Sequence, residues 1–504
     1  MIIKRIRIYG MTILFLLTCF SNIAWTQHRG DNLAFQGLSI PEGNGVKALA
    51  MGSAYTSVSG DVNALFHNPA GLGGIDKVQF SFELNSNNKI WRENQIYRPC
   101  RQFVNVGFIL DGLYVPKPEY NGWYDWEAFL EDTTLAAEEP LLGTDYFSEE
   151  AADWQISKND FDLNNVALAV PFQLANRSIV VSAAYSKKYQ VWDYDRNHTH
   201  LVPHPGYTYY EGLFERVVDV TDSTRMYWSD YGRERSGKIW NMTFGLAVEL
   251  NKYLKLGLSM ERLSGETDDR QGLSRVGYFD LVTSNEFRFS YDTLATRTTG
   301  TSEFSATKFK IGTMIETDHI NVGFSLSPGY TLERDWNYTT VTSSPSMESS
   351  TVMNAGIDDL KIPLSYAIGL SINPVKPFTI SADMRNTRYS EAEFNFAYGD
   401  STHRGWVDQT IYSVGVDYTP WEWLSLLAGY RYLPEVFVPD GAALKDRGPV
   451  ADSYTFGMSL KLFYGRLNAA YEIRRLKYYD SYLSNTNYVM ESLDRILVGY
   501  TIML

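Results

Sequence analysis

Cysteines, long apolar runs and an excess of positive charge are all missing or scarce in this chain of 504 residues. Of its two cysteines, Cys19 lies in a segment that we expect to be cleaved off, so Cys100 has no partner for an internal disulfide. After residue 26, no stretch approaches the roughly 20 apolar residues of a membrane-spanning helix. The 45 Lys and Arg are outnumbered by 59 Asp and Glu, and such an acidic chain lacks the basic surface that nucleic-acid binding needs.

The first 26 residues have the three parts of a secretory signal peptide. A basic stretch from Lys4 to Arg7 precedes the apolar residues Ile8 to Phe20, and Ala24 and Thr26 stand three and one positions before Gln27. Their removal takes away three positive charges, so the formal net charge falls from −14 to −17. We therefore expect residues 1–26 to be a signal peptide that directs export.

The remaining chain is rich in aromatic residues, with 35 Tyr, 26 Phe and 12 Trp, and it alternates strictly between apolar and small or polar residues. Clear examples are Met242 to Leu250, Leu254 to Met260 and Ile320 to Leu326. A period of two indicates strands with one apolar face. These strands run to nine residues or more, the length that crosses a bilayer at a tilt. The pattern favours a membrane β-barrel over a soluble β-sandwich.

The connections alternate between very short and very long, as they do in outer-membrane barrels, which have short periplasmic turns and long outer loops. The short turns are expected near residues 175–176, 251–252, 318–319, 374–375, 420–421 and 464–465, with long outer loops at 193–238, 265–304, 334–361, 390–407, 434–451 and 478–493. With a first strand near 77–87 and a last near 494–504, this predicts an all-β, transmembrane antiparallel barrel of 14 strands. We place Val104 to Leu110 in the first outer loop.

The alternation also predicts which way the side chains face. Neighbours on a strand point to opposite faces, so Leu256 and Phe324 should face lipid while Lys255 and Ser325 face the lumen. Charged residues at lumen positions have mixed signs, which favours salt bridges inside the barrel.

Residues 45–72 read GVKALAMGSAYTSVSGDVNALFHNPAGL, and small residues recur throughout them. Pro69 should end the short helix suggested by Asp61 to His67, because the residue before a proline is pushed out of helical geometry. A segment of this size and make-up would bury too little apolar surface to fold alone. It resembles the N-terminal hatch of the FadL/TodX family of outer-membrane channels for hydrophobic molecules. The matching residues are Gly45, Ala48, Met51, Gly52, Ala54, Asp61, Ala64, Asn68, Pro69, Ala70 and Gly71.

The resemblance implies three parts: signal peptide 1–26, N-terminal hatch (plug) 27–75 in the lumen, and transmembrane barrel 76–504. It also implies an outer-membrane, porin-like transporter for hydrophobic, long-chain fatty acid-like molecules, with Asn68, Pro69 and Ala70 as the gate. The family releases its cargo sideways at a kink in the third strand. Here that strand, Arg177 to Trp192, contains neither Gly nor Pro to mark a kink.

The first outer loop, 111–162, has 14 acidic residues against two basic ones and many apolar side chains. Trp126, Phe129 and Leu130 are spaced as on one face of a short helix. With Trp123 they are candidates for a hydrophobic ligand groove, and packing of the loop on itself is the equal alternative.

Other functions remain open. The same barrel could be a non-transporting scaffold that holds a partner protein for secretion or surface assembly, which the long outer loops favour. An outer-membrane hydrolase would rest on Ser401 and His403 alone. A metal site would rest on His198, His200 and His204, a run that two prolines interrupt.

Because both of these patterns are weak, we expect no catalytic residues, no metal and no cofactor. The expected partners are outer-membrane lipids, a hydrophobic small molecule and, on the scaffold hypothesis, a surface or secretion protein.

Overall fold

The structure is a computed structural model. It describes residues 33–38, 45–97, 123–125, 145–174, 176–204, 207–210, 213–216, 224–281, 286–398, 405–439, 442, 444–482 and 485–504. Within these residues no helix is long and apolar enough to cross a membrane. The segment Val104 to Leu110 lies outside the described residues.

Fourteen long strands form the wall, and we number them in chain order. They are β1 (Gln79–Tyr97), β2 (Trp154–Leu174), β3 (Arg177–His204), β4 (Thr224–Glu249), β5 (Leu254–Leu281), β6 (Glu286–Glu316), β7 (Ile320–Ser327 and Tyr330–Ser344), β8 (Met347–Ile362 and Ser365–Ile372), β9 (Phe378–Thr387), β10 (Gln409–Trp421), β11 (Leu424–Pro434), β12 (Val450–Leu462), β13 (Gly465–Tyr482) and β14 (Asn485–Met503). Short strands at Trp123–Asp125, Tyr207–Tyr210, Leu213–Arg216 and Glu393–Asn395 lie beside or beyond them.

The sheet closes on itself. Each strand pairs antiparallel with its neighbours, and β1 pairs with both β2 and β14, in the last case from Gln79 opposite Met503 to Tyr97 opposite Asn485. Closure removes the unpaired edges that an open sheet would expose to lipid. The predicted barrel of 14 strands is confirmed.

The predicted short turns are present. Of the six predicted long outer loops, 193–238, 265–304, 334–361 and 478–493 are largely strand, whereas 390–407 and 434–451 are largely not. β5 and β6 stay paired up to Leu281 opposite Phe287, and β7 and β8 stay paired up to Ser344 opposite Met347. The alternation that marks strands in the sequence depends on one face meeting lipid. Beyond the membrane both faces meet water, so hairpins rich in Thr and Ser keep their backbone pairing without the apolar pattern.

The predicted facing of the side chains is confirmed. Leu256 is 37% exposed and Phe324 is 41% exposed, whereas Lys255 and Ser325 are 6% and 5% exposed. Many other large apolar side chains are exposed on the same outer face, such as Phe309 and Ile311. This exposed apolar face fits a wall surrounded by hydrocarbon.

Residues 45–75 lie inside the lower part of the barrel, near the short turns. They form helix α1 (Val46–Ala50), helix α2 (Ala64–His67) and a 3₁₀ helix at Pro69–Gly74. Most residues in this segment are buried and none is exposed, although the helices are too short to have an interior of their own. The barrel wall therefore supplies the packing surface, and we call residues 45–75 the hatch.

The hydrogen-bond ladder of the wall is interrupted between β2 and β3. The two strands pair from Leu174 opposite Arg177 up to Asn165 opposite Ser186, and no further, although both continue beyond that point. Past Ser186, β3 has a bulge at Lys187/Tyr189 and is buried on both faces as far as Trp192. The strand therefore bends into the lumen, and it does so without the Gly or Pro that would have marked the bend in the sequence.

A second interruption lies between β6 and β7. The ladder pairs Leu326 with Ile311, and the next pair is Glu333 with Ser305. β7 uses one residue more than β6 between these pairs, and its extra length bulges outward at Pro328 and Gly329, both exposed. Strand β6 stays paired with β5 throughout this stretch, and β7 stays paired with β8 at Ser327 opposite Ser365 and at Tyr330 opposite Ile362, so the ladder is broken between β6 and β7.

Candidate functional site

The predicted gate residues lie together at the centre of the hatch. Asn68 is fully buried and extended, with φ −145° and ψ 106°, as expected before a proline. Its side-chain oxygen accepts a hydrogen bond from Ala70 N at 3.1 Å, and its amide nitrogen donates to Thr56 O at 2.8 Å and Thr313 O at 3.1 Å. The asparagine therefore caps the 3₁₀ helix that Pro69 begins and ties it to the wall.

The hatch fits because the wall has glycines where the hatch backbone comes closest to it. A Cβ added to Gly312 of β6 would stand 2.9 Å from Pro69 Cδ, and closer still to the Asn68 side chain. The neighbouring Gly257 of β5 lies directly opposite Gly312 in the ladder and meets Pro69 and Ala70 in the same way. The lumen-facing glycines that touch the hatch, which we call the glycine ring, are Gly245, Gly257, Gly312, Gly323, Gly369, Gly415, Gly429, Gly457 and Gly499.

Sequence reasoning missed the glycine ring, although its signal was present. Glycine is disfavoured inside strands, and where it occurs it often marks the close approach of another backbone. Gly323 and Gly415, for instance, each stand in the middle of a strand at a lumen-facing position. Such positions on strand after strand would have shown the level at which the wall meets the hatch.

Polar groups of the wall hold the hatch as well. The Asp383 carboxylate of β9 accepts hydrogen bonds from Tyr55 N at 2.8 Å and Thr56 N at 2.7 Å. Thr455 of β12 accepts from Gly52 N at 3.0 Å and donates to Ala50 O at 3.1 Å. Further ties come from Gln79, Glu83, Lys255, Lys310, Ser371, Asp417 and Arg431. Hatch amides and carbonyls thus find partners on strands all around the barrel.

An apolar cluster fills the lumen above the hatch. Its buried members are Ala34, Phe35, Leu38, Tyr189, Val191, Ile239, Leu263, Phe304, Ala306, Leu332, Leu360, Ile362, Tyr389 and Val436, with Tyr330, Ala392, Phe394, Phe396 and Trp406 packed against them. Residues 33–38 of the N-terminal segment lie within it, and Phe35 is only 1% exposed. Arg235 donates to Ala34 O at 2.7 Å and pairs with Asp269 through two hydrogen bonds of 2.7 Å. The bend of β3 brings Tyr189 and Val191 into this cluster.

A cavity of about 210 Å³ lies beside the cluster, nearer the outer end of the barrel. Eight aromatic side chains contribute to its lining: Phe35, Trp91, Trp154, Trp192, Tyr194, Trp406, Phe437 and Tyr478. The rings of Trp91 and Trp192 meet edge to face with centroids 6.4 Å apart. Charged residues of both signs share the lining, and some are paired, as Lys89 with Glu491 at 2.8 Å. Phe35, Trp406 and Val436 belong to both cavity and cluster, so the two spaces adjoin.

The predicted loop groove is only partly placed. Trp123 begins the short strand Trp123–Asp125, which pairs with the outer end of β6 at Arg288. Trp126, Phe129 and Leu130 lie outside the described residues, as do Ser401 and His403. The aromatic surface that the structure does show belongs to the strands, to the N-terminal segment and, at Trp406 and Phe437, to segments between strands. Aromatic side chains are common in any β-strand, so those that line the lumen cannot be recognised from the sequence.

Comparison with known proteins decides the fold. No protein-family profile and no curated protein sequence matches the chain. A crystal structure of a Pseudomonas aeruginosa FadL homologue superposes with a TM-score of 0.58 at 13% identity, covering 92% of this chain and 99% of that one.

The chain has the fold of the FadL-type channels. The P. putida toluene transporter TodX matches with a TM-score of 0.53 at 14% identity, covering 92% of this chain and 99% of that one. The Ralstonia pickettii toluene transporter TbuX matches with a TM-score of 0.52 at 11% identity, covering 94% of this chain and 100% of that one. The FadL-type likeness inferred from the short N-terminal segment is therefore confirmed over the length of the fold.

Proposed function

We propose that this protein is an outer-membrane channel for hydrophobic small molecules, without enzymatic activity, and that the hatch is its gate. The observation that carries the proposal is the order of spaces inside the barrel. A cavity lined by aromatic and charged side chains adjoins an apolar cluster, and the hatch lies below both, within a wall whose outer face is apolar. Apolar surfaces that follow one another along the barrel give a lipophilic molecule successive places to bind.

The structural neighbours support the same conclusion. Two of the proteins that share the fold are described as toluene transporters. The cargo class proposed here is apolar or amphipathic molecules, with long-chain fatty acids and small aromatic hydrocarbons as the two classes to compare.

Uptake by cells that lack other channels for the probe tests the transport. Expression of the protein should raise the uptake of radiolabelled toluene, dodecanoate or both above that of cells with an empty vector. Trp192→Ala in the cavity should lower this uptake, while the same change at Trp421, 57% exposed at a short turn, should not. Probe recovered chemically changed would contradict a channel without enzymatic activity.

The hatch can be locked where it meets the wall. Ser57 of the hatch and Ser371 of β8 lie with their hydroxyl oxygens 2.6 Å apart, so cysteines at these positions should form a disulfide. With Cys100→Ser removing the other thiol, this bond should stop uptake, and reduction should restore it. Ser371 and Ser381 lie 2.7 Å apart on adjacent wall strands and give a matched lock that leaves the hatch free. Normal uptake with the hatch locked would show that the hatch is not the gate.

Deleting Asn68, Pro69 and Ala70 should leave a heat-resistant barrel and change the uptake of hydrophobic probes. The alternative function is a scaffold for a surface or secretion protein. The outer hairpin of β7 and β8, where Met353 is 77% and Ile357 55% exposed, favours it. If no probe is taken up and a protein co-purifies that is lost when this hairpin is shortened, the scaffold hypothesis replaces the channel.

A further inference from the structure

The outer ends of β7 and β8 form a hairpin with one unpaired side. Residues 337–343 of β7 pair with β6 on one side and with β8 on the other. Residues 347–354 of β8 pair with β7, and no described residue pairs with their other side. A strand in this position presents a row of backbone N–H and C=O groups without partners. We call residues 347–354 the free edge.

The same side of β8 already carries an added strand lower down. The short strand Glu393–Asn395 pairs antiparallel with residues 359–361 of β8. The hydroxyl of Tyr398 then donates to Ala355 O at 3.3 Å, and this cover stops where the free edge begins. A further strand beside the free edge would therefore continue a pairing that the chain itself starts.

The free edge lacks the residues that usually protect an edge strand. Natural edges are blocked by Lys, Pro or inward-pointing charges, or are very short. The free edge reads MESSTVMN, with Glu348 as its one charge, and Val352 and Met353 are 50% and 77% exposed. The edge of β3 where it leaves β2 differs, because Lys187 bridges it to Asp162 of β2 at 2.9 Å.

The outward surface below the free edge is acidic. Glu303 of β6 stands opposite Asp335 of β7, and Glu333 of β7 stands opposite Asp359 of β8. Like charges directly opposite one another in a sheet are destabilising, and no ion pair among the described residues includes these four carboxylates. Cations supplied from outside the chain would relieve this repulsion.

These carboxylates are close enough to act on a segment at the free edge. Asp335 stands opposite Ile357, which is three residues below the free edge. At about 3.3 Å per residue this is roughly 10 Å along the strand, about one Debye length at physiological ionic strength. A basic segment is therefore favoured over an acidic one, most strongly at its end nearer the membrane.

A second copy of this chain does not fit the free edge. All copies in one membrane have the same orientation, so a symmetric pair is related by a two-fold axis along the membrane normal. Barrel strands tilt by about 35–45° from the barrel axis, so two free edges related in this way would cross at about 70–90°. Strands that cross so steeply cannot form a ladder, which leaves a different protein as the occupant.

We propose that the free edge binds an extended segment of another cell-surface protein, which adds one strand to β8 and has basic residues toward its membrane-proximal end. Recognition of this kind takes its affinity from main-chain hydrogen bonds and its specificity from alternate side chains. The inference goes beyond the channel function and does not depend on transport.

A fluorescent peptide that alternates Lys and Val over the length of the free edge is the probe, added to the full-length protein in mild detergent. One control peptide alternates Glu and Val. The other repeats the Lys-Val sequence with every backbone nitrogen methylated, so it keeps the charges but has no N–H donors. Fluorescence anisotropy should show that both controls bind about ten-fold more weakly or less. Equal binding of the methylated peptide would reduce the contact to charge and overturn the proposal, as would no binding of the unmodified peptide.

A variant of the chain tests the place. Met353→Lys puts on the free edge a residue that protects natural edges, and it should weaken binding of the Lys-Val peptide about ten-fold. Val341→Lys is the matched control, because it adds the same charge to the same face of the hairpin at a residue paired on both sides, with Thr351 and Arg297. This control should bind the peptide as the unaltered protein does.

Hydrogen exchange locates the bound peptide. Binding should slow exchange of amides in residues 347–354 and leave residues 337–343 as they were. Equal binding by the two variants, or protection only away from the free edge, would contradict the proposal. If the protein alone forms dimers that Met353→Lys converts to monomers, the occupant is a second copy and the proposal is wrong. Uptake of lipophilic probes should be the same with Met353→Lys, so this test and that of the channel can fail separately.

Discussion

The lower and upper halves of the barrel lumen are filled in opposite ways. In the lower half, the glycine ring lets the hatch backbone approach the wall closely. Wall groups such as Asp383 and Thr455 hold this backbone by hydrogen bonds. In the upper half, the wall projects large side chains such as Phe304 and Leu332, which pack around Phe35. The lower half therefore holds its occupant by close backbone approach and polar contacts from many strands. The upper half holds its occupant mainly by apolar packing, with Arg235 as a polar contact to Ala34 O.

Substituting Phe35 tests the upper half and should have the largest effect. Phe35→Ala removes a ring that is 1% exposed, a loss worth about 3–5 kcal/mol in a packed core. Because the segment 33–38 is not part of the wall, this loss should appear as easier local opening of that segment. Hydrogen exchange at residues 33–38 should become faster while the wall stays protected. Phe463→Ala, at a residue 94% exposed, is the matched control and should change neither.

A side chain added to the glycine ring tests the lower half. Gly312→Val would place carbon atoms against Asn68 and Pro69, and overpacking of this kind typically costs about 1–3 kcal/mol. The hatch should shift, so single-channel conductance and protease cleavage within residues 45–75 should both rise. Gly232→Val adds the same side chain where an added Cβ has no atom within 4 Å. Equal conductance in the two variants would contradict the steric account.

The polar ties can be loosened without adding bulk. Asp383→Ala leaves the amides of Tyr55 and Thr56 without their acceptor, and a buried donor left unpaired costs about 1–3 kcal/mol. Exchange of these two amides should accelerate, with heat stability of the wall unchanged. Asp318→Ala, at an exposed short turn, serves as the control. Unchanged exchange at Tyr55 and Thr56 would mean that the Asp383 carboxylate does not hold this part of the hatch.

The smallest effect is expected outside both halves. Lys361 and Glu393 lie 2.6 Å apart, but their side chains are 55% and 64% exposed. Exposed ion pairs contribute about 0–1 kcal/mol, so Lys361→Gln should leave heat stability and probe uptake as they were. A clear loss of either would show that the outer hairpin, and not the lumen alone, determines the properties of the channel.

The wall could be predicted from the sequence because its signal is local. Alternation such as that of Leu254 to Met260 depends only on which face meets lipid, so strand number, turn positions and the facing of Leu256 and Lys255 followed from it. The spaced small residues and Asn68-Pro69-Ala70 predicted that this segment lies in the lumen, where residues 45–75 are found. Which strands contact it could not be predicted, because those strands are distant in sequence and the alternating pattern is local.

The upper lumen was the part that could not be predicted. Val191, Phe304 and Val436 meet only after the barrel has closed, and each sits in a stretch whose pattern is that of an ordinary strand or loop. The bend of β3 was also missed. It lies at a bulge and beside ion pairs between strands, including that of Lys187 with Asp162, and neither feature requires a glycine or a proline in the sequence.

The glycine ring also constrains how this protein can diverge. Gly323 and Gly369 face each other in the ladder, and both meet the hatch at Thr56. A larger residue at either position is tolerated only if a smaller residue or a shifted backbone stands opposite it in the hatch. A larger hatch residue likewise requires a smaller wall residue opposite it. The two parts are therefore expected to change together over evolution, while the outward face remains free to exchange one apolar residue for another. Related sequences should therefore show paired substitutions between the hatch and the wall rather than single conserved positions.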